Sequence, residues 1–448
     1  MNDMDNELKA VAGPVLRPGD EGFDEERAGF NLAVRHRPDV IVCAVAAEDV
    51  RVAVEFAGAR GLPVAVKSTG HGFSVPAEGG VLVSTRRMTG VRVDPDAGTA
   101  WVAAGARWQD VVAAAAPYGL APLNGSAPHV GVVGYTLGGG LPLLGRSHGY
   151  AADRVRAMEV VTADGRLRHV TPDSEPDLYW ALLGGRDNFG IVTGLEFGLV
   201  PVARLYGGGL YFDAVRTPGL LESYLRWTAT VPEPMNSSVA LIPMPDVPDV
   251  PEALRGRHLF HVRIAFTGSP EEGERLVAPL RAIGPALIDS LRDLPYAESA
   301  SIHDDPPTPM PWSSDSVLLG ELDDAAITTL AGLVTPGPAI VELRHLGGAL
   351  SRPPVHPNAV GHRDARYLIG VLNPGAGDAP ERAGLVRALA PWTVGRFVNL
   401  MGHGADAGPE QVRSAYEPAT LKRLTTLKTA YDPEDTFRIT YHLPPVSA

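Results

Sequence analysis

Over residues 39–200, short runs rich in β-branched residues alternate with stretches of helical periodicity. Asp39–Ala46 reads as a strand, and Ala47–Ala59 reads as a helix that buries Val50, Val52, Val54, Phe56 and Ala57. Pro63–Lys67 and Gly80–Ser84 are strands. Val91–Val93 and Ala100–Ala103 flank an Asp-Pro-Asp-Ala-Gly turn, which predicts a hairpin. A helix over Arg107–Ala116 is closed by Pro117-Tyr118-Gly119. Val155–Thr162 and Arg166–Val170 form a second hairpin about Ala163-Asp164-Gly165, and Ile191–Val200 is a further strand. Hairpins set between βα units predict an α+β sheet arrangement rather than a purely parallel, doubly wound one.

Past Val202–Leu210 the glycine-rich turns stop and the strands lengthen, as at His258–Phe266 and Ala339–Leu346, with a helix over Pro270–Ile283. Proline-rich loops interrupt this region at Val231–Pro251, Pro306–Trp312 and Arg352–Pro357. The pattern divides the chain into an N-terminal segment 1–35, a first domain 36–204, a second α+β domain 205–399 built on an antiparallel sheet, and a closing segment 400–448. The closing segment carries a helix over Pro409–Ala430 followed by Tyr431–Ile439.

Composition narrows the partners. The 448 residues include 39 Lys and Arg against 52 Asp and Glu, a formal charge of −13 spread without long single-sign runs. That argues against nucleic acid and anionic membrane as partners. No apolar run is long enough to cross a bilayer, and the N-terminus lacks a secretory pattern, so a cytoplasmic protein is expected. Cys43 is the single cysteine and sits in a strand pattern, as a small core residue would; it excludes an intrachain disulfide and a cysteine-based metal site. His129 and His148 have no acidic or cysteine partners at metal-ligand spacing, so they read as loop residues and no metal is expected. Trp101, Trp108 and Trp180 read as core.

Two glycine-rich segments carry the candidate chemistry. Val64–Lys67 runs into Ser68-Thr69-Gly70-His71-Gly72, and further on comes Val130-Gly131-Val132-Val133-Gly134-Tyr135-Thr136-Leu137-Gly138-Gly139-Gly140. Brought together, such segments offer bare backbone N–H groups to a pyrophosphate, with an imidazole at the rim. Taken singly each is also an ordinary tight turn, and neither is the dinucleotide fingerprint of a strand–loop–helix unit.

The order of five segments is more specific. Lys67–Gly72, Gly125 to Gly140, Gly149-x3-Asp153, Leu178 to Thr193 and Tyr431 to Arg438 together resemble the FAD-linked oxidases of the vanillyl-alcohol-oxidase type, in their berberine-bridge-enzyme-like branch, over residues from about 20 to 445. The resemblance implies a two-lobed PCMH-type FAD-binding fold: an FAD lobe over 36–204 that the 400–448 segment rejoins, and a substrate lobe over 205–399. It implies FAD bound covalently through His71, with Lys67, Ser68, Thr69, Gly70, Gly72, Gly125, Val130, Gly131, Gly134, Tyr135, Gly138, Gly139, Gly140 and Asp153 around the cofactor, and with Gly190, Ile191 and Val192 on its adenine side. Family members with a second, cysteinyl bond carry Gly-x-Cys-x-x-Val-Gly; here Ala127 stands at that cysteine, so one bond is expected. Val130 occupies the position that the family associates with oxygen access.

The family's usual base is missing. Its Tyr-x-Asn-Tyr segment is Phe397-Val398-Asn399-Leu400 here, which keeps Asn399 alone, and Tyr367–Val371 bears no acid or amide. In Val341-Glu342-Leu343-Arg344-His345, a period of two puts Glu342 and Arg344 on one strand face, which by the resemblance looks toward the flavin. Glu342 is a candidate base if burial raises its pKa; the alternative is an ion pair with Arg344. The expected activity is an FAD-dependent oxidase that takes a hydride from a small organic molecule, passes electrons to O2 to give H2O2 and tailors a bacterial secondary metabolite, as a monomer or homodimer. The missing base keeps open a flavin-fold enzyme steering a cyclisation or rearrangement without net oxidation. A cofactor-free binding protein is a third possibility, against which both glycine segments and His71 count.

Overall fold

Three sheets carry the chain in a computed structural model that describes residues 7–72, 75–375, 380–402 and 408–446. The first has strands β1 (Val15–Leu16), β2 (Val40–Cys43), β3 (Val64–Lys67) and β4 (Val81–Ser84) in the order β1-β2-β4-β3. The last three run parallel, and their near-continuous aliphatic runs are buried on both faces, as parallel strands require. Helix Ala47–Gly58 makes the crossover from β2 to β3 and packs Val50, Ala53, Val54 and Phe56 against Val40 and Val42. Cys43 is fully buried among these strands, and burial pushes its thiol up to about 11.

The second sheet is antiparallel, in the order β5-β6-β9-β7-β8, from β5 (Val91–Asp94), β6 (Thr99–Ala103), β7 (Val155–Val161), β8 (Leu167–Val170) and β9 (Ile191–Gly198). Both expected hairpins form, with Gly98 and Gly165 at φ of +61° and +72° where side chains are disfavoured. β9 stops short of Val200, which leaves the sheet to bridge Ala121. The glycine-rich segment is not wholly loop: Val132–Leu137 is a short helix whose Val132, Val133 and Leu137 enter the core.

The third sheet has nine antiparallel strands. β10 (Arg204–Asp213), β11 (Met235–Pro243), β12 (His258–Phe266), β13 (Ile288–Asp289), β14 (Arg292–Pro295), β15 (Trp312–Leu319), β16 (Ile340–His345), β17 (Tyr367–Pro374) and β18 (Thr393–Gly395) follow the order β13-β10-β12-β11-β16-β17-β15-β18, with β14 also on β10. Alternation divides its faces. Val239, Leu241, Phe260, Val262, Ile264, Val341, Leu343, Ile369 and Val371 share one core with helices Leu220–Thr228, Pro270–Arg281 and Asp324–Leu333. The intervening residues face the other way. There Leu318 and Leu368 join a second core with Trp108, Tyr150 and Leu182 from the first half of the chain. The antiparallel α+β architecture expected from the sequence is therefore present.

The closing segment differs from expectation in one respect. The single helix over Pro409–Ala430 is two, Pro409–Arg413 and Pro418–Tyr431. Pro418 lacks an N–H and restrains Glu417 to an extended conformation (φ −63°, ψ 149°), which separates them. The second helix contacts helix Pro176–Gly185, and Asn188 bonds the backbone of Tyr441 and Leu443. Lys428 is wholly buried here; its Nζ meets Asp432 Oδ2 at 2.6 Å and the carbonyls of Asn188 and Phe437 at 3.0 and 3.1 Å. Removing one partner of such a pair strands the other charge. Lys428→Met should lower unfolding stability by about 3–5 kcal/mol, read from denaturant melts. A loss under about 1 kcal/mol would contradict the clamp.

Candidate active site

β3 ends at Lys67, and the following residues turn beneath the N-terminal segment. Gly70 adopts φ +71° against the backbone of Gly29, so a Cβ at either position would collide with the other strand of chain. This close approach lets Phe30 N donate to the Thr69 carbonyl (3.0 Å) and Asn31 N to that of Gly70 (3.2 Å). The Phe30 ring consequently stacks on His71, with centroids 4.0 Å apart and planes 16° apart, and on His129 at 4.6 Å. Asn31 also binds Trp312 at the start of β15 through both its amide nitrogen and its amide oxygen, and Met310 exchanges backbone bonds with Phe30 and Leu32. The histidine loop is thus tied to both halves of the chain.

Thr69 Oγ1 lies 2.8 Å from His71 Nδ1 and accepts from Gly131 N at 3.3 Å, which joins the two glycine-rich segments. His71 Nε2 is buried with no hydrogen-bond partner. Burial, with His129 and Arg107 nearby, pushes the imidazole down to about 3, so it is neutral at physiological pH.

These segments border an open cavity of about 1060 Å³. Of the sequence-predicted residues, Lys67, Ser68, Thr69, Gly70, His71, Gly72, Gly125, Val130, Gly131, Gly134, Tyr135, Arg344 and Asn399 line it. Three polar atoms at this wall, Ser68 Oγ, His71 Nε2 and Tyr135 Oη, are buried without partners. A Cβ on Gly134 would meet nothing, and one on Gly72 only the edge of Arg186. Bare backbone edges and unspent polar atoms around one cavity suit a large ligand that supplies the missing contacts.

The remaining predicted residues lie outside this lining. Gly138 is where Asn399 packs, Gly139 (φ +98°) abuts Phe397 and Val360, and Gly140 (φ +68°) abuts Tyr135, so these three serve close approach of side chains. Asn399 in turn donates from Nδ2 to the Tyr135 carbonyl at 2.6 Å. Asp153 is engaged by Arg363 (2.7 Å), Asn358 and the Tyr150 backbone N–H. Ile191 and Val192 lie in β9 with buried side chains, and Gly190 sits against the Val161 carbonyl.

Glu342 stands behind the cavity. Its carboxylate meets Arg344 at 2.8 Å, Arg263 at 2.7 Å and Ser238 Oγ at 3.1 Å, with His303 3.8 Å away. Burial pushes this carboxyl upward, but the two guanidiniums overcome the effect and hold it below its ordinary value. The raised pKa expected of a base is therefore not found, because the strand alternation that aims Glu342 inward also delivers Arg344 and Arg263 beside it. Sequence reading missed Arg263, Phe30, Arg186 and Phe397. The alternation His261-Val262-Arg263 within β12 carried a signal for the first; Phe30 lies in a segment with no periodic pattern.

A family model described as an FAD binding domain matches residues 38–171. (R)-6-hydroxynicotine oxidase of Paenarthrobacter nicotinovorans is 28% identical over 97% of each chain. The crystal structure of 6-hydroxy-D-nicotine oxidase from Arthrobacter nicotinovorans superposes with a TM-score of 0.84 at 26% identity, over 97% of this chain and 98% of that one. The chain is an FAD-linked oxidoreductase of the oxidase type. Glucooligosaccharide oxidase from Acremonium strictum, described as carrying a 6-S-cysteinyl, 8α-N1-histidyl FAD, shares the fold at 22% identity with a TM-score of 0.84 and full coverage of both chains. Among the described residues no helix is long and apolar enough to cross a membrane.

The oxidoreductase buries several neutral imidazoles, and this sets its acid sensitivity. Burial lowers His36 to about 4, and His71 and His345 each to about 3. Unfolded histidines titrate near 6.5, so between roughly pH 6.5 and 3 the unfolded chain binds more protons and stability rises with pH. Cofactor-free protein should lose melting temperature progressively as pH falls below about 6.5, and His71→Gln should flatten that slope. A melting temperature constant from pH 7 to 4 would contradict it.

Proposed function

We propose that the protein is an FAD-dependent oxidase of a small organic molecule, with the flavin bonded covalently through His71 alone. The observation that carries this reading is the convergence of Ser68 Oγ, His71 Nε2 and Tyr135 Oη, all buried and unpartnered, on one cavity edged by Gly72, Gly131 and Gly134. Thr69 occupies Nδ1 and leaves Nε2 as the attachment atom. In the tautomer whose Nδ1–H donates to Thr69 Oγ1, the neutral imidazole keeps the Nε2 lone pair free. Ala127 lies on the cavity wall and offers no thiol for a second bond. Residues 36–204 with 400–448 form the FAD lobe in this reading, and 205–399 the substrate lobe.

When bound, FAD supplies the hydride acceptor and the route of electrons to O2, with hydrogen peroxide as co-product. The chain holds its own part ready. The Phe30 ring fixes the His71 plane, Gly134 leaves backbone exposed, and Asn399 pins the Tyr135 backbone while the phenol stays in the wall. Burial pushes that phenol well above its ordinary value, so it is a neutral hydrogen-bonding group. Val130 on the wall fits the expected oxygen access. Glu342 remains the proposed proton acceptor. Its engagement by two arginines also favours a second reading, a cyclisation or rearrangement on the same site without net oxidation; steady O2 consumption and peroxide release with substrate separate the two.

Purified protein should be yellow and keep its flavin through acid precipitation, whereas His71→Ala should release it to the supernatant. Flavin still attached in His71→Ala would overturn the assignment. If Glu342 accepts the proton, Glu342→Gln should slow flavin reduction by about 10²–10⁴-fold in rapid mixing, with FAD content unchanged. A purely structural ion pair predicts instead a lower melting temperature with near-normal reduction.

A further inference from the structure

A second, small chamber adjoins the His71 cavity and shares Ser126, Leu141 and Arg344 with it as common wall. It lies between the polar face of the nine-stranded sheet and the segment Leu141–Arg146. We propose that this chamber receives the carboxylate of an acidic substrate, with Arg344 and Arg263 as its receptors. The proposal rests on the FAD-oxidase reading and names the substrate class for that site.

The charge around the chamber carries the argument. Its lining includes Arg146, Arg263 and Arg344 but no aspartate or glutamate. Glu342, behind the lining, is the one carboxylate among the described residues that bonds Arg263 and Arg344, and it serves both. Asp305 acts on Arg344 at longer range. Arg146 is buried and directs its guanidinium to the carbonyls of Met235 and Leu346 and to His345 Nε2, all uncharged partners. The two lining histidines add no negative charge. Arg263 and Arg344 thus share one bonded carboxylate, and Arg146, on which Glu233 acts at longer range, bonds none among the described residues; a buried cation short of counter-charge is costly. An anionic ligand removes that imbalance.

Geometry selects a carboxylate. Arg344 directs Nε and Nη2 to Glu342, and Nη1 makes no hydrogen bond among the described residues. Arg263 directs Nε to His261 Nδ1 and Nη1 to Glu342. Each planar fork is held by its other nitrogens, so donors left over present fixed directions, the condition under which guanidinium recognises carboxylate best. Glu342 acts in this arrangement as an internal counter-ion that aligns both forks. Because Arg344 stands on the common wall, a carboxylate held there places the adjoining carbons of the substrate in the His71 cavity.

The test uses purified holoenzyme and two matched pairs of probes, benzoate with benzamide and hexanoate with hexanamide, titrated by calorimetry and by flavin difference spectra. The charged member of each pair should bind at least about tenfold more tightly. Arg344→Gln should abolish most of that preference. Glu342→Gln, which frees both guanidiniums, should change it in the opposite direction and tighten benzoate beyond wild type, so the proposal stays testable if Arg344→Gln folds poorly. Equal affinity for acid and amide, or an acid preference unchanged in both variants, would overturn it. The two readings fail separately. Yellow protein without a charge preference overturns the carboxylate assignment alone, whereas colourless protein that keeps the preference by calorimetry overturns the oxidase reading alone.

Discussion

A wide antiparallel sheet can bury only one face under its own helices, and the chemistry of this molecule follows from what becomes of the other. Four helices among the described residues, the three above and Pro380–Ala388, cover the aliphatic face. The remaining face alternates Ser238, His261, Arg263, Glu342 and Arg344 with Leu318 and Leu368, so it is neither a free surface nor an ordinary core. The leucines pack onto the first half of the chain, and the polar residues are thereby enclosed with few partners except one another. Enclosure gives these charges their strength: the Arg263–Glu342–Arg344 cluster sits where solvent screens it weakly.

Much of this was legible in the residue pattern. The hairpins about Gly98 and Gly165, the strand over His258–Phe266 and the pairing of Glu342 with Arg344 on one face follow from turn chemistry and from a period of two. The joining of Ser68–His71 to Gly131 followed from the order of motifs, and the hydrogen bonds of Thr69 show how it is made. Contacts between distant segments left no periodic trace. Phe30 meets His71 only because Gly29 and Gly70 approach closely, and neither glycine announces its partner. The second guanidinium at Glu342 was equally hidden, since Arg263 comes from β12 and register between strands is not written in either strand alone.

The glycines of the 131–140 segment illustrate how one composition serves two ends. Gly134 leaves backbone open to the cavity and Gly131 admits the Ser68 and Thr69 side chains at its edge, whereas Gly138, Gly139 and Gly140 admit Asn399, Phe397 and Tyr135. The second group builds the wall on which the first group's openness depends. Substitution in either would disturb the same site, though by opposite routes: filling space meant for a ligand, or displacing the side chains that shape it.

The strap formed by Phe30 and Asn31 binds the His71 loop on one side and Met310–Trp312 on the other. These three stretches are far apart along the chain, and the ring that steadies His71 arrives only when all have met. A nascent or partly folded molecule therefore presents its histidine unsupported. Under the proposed attachment through His71, bonding of the flavin becomes a late event in biogenesis, and the bond marks a polypeptide whose distant segments have already closed on each other.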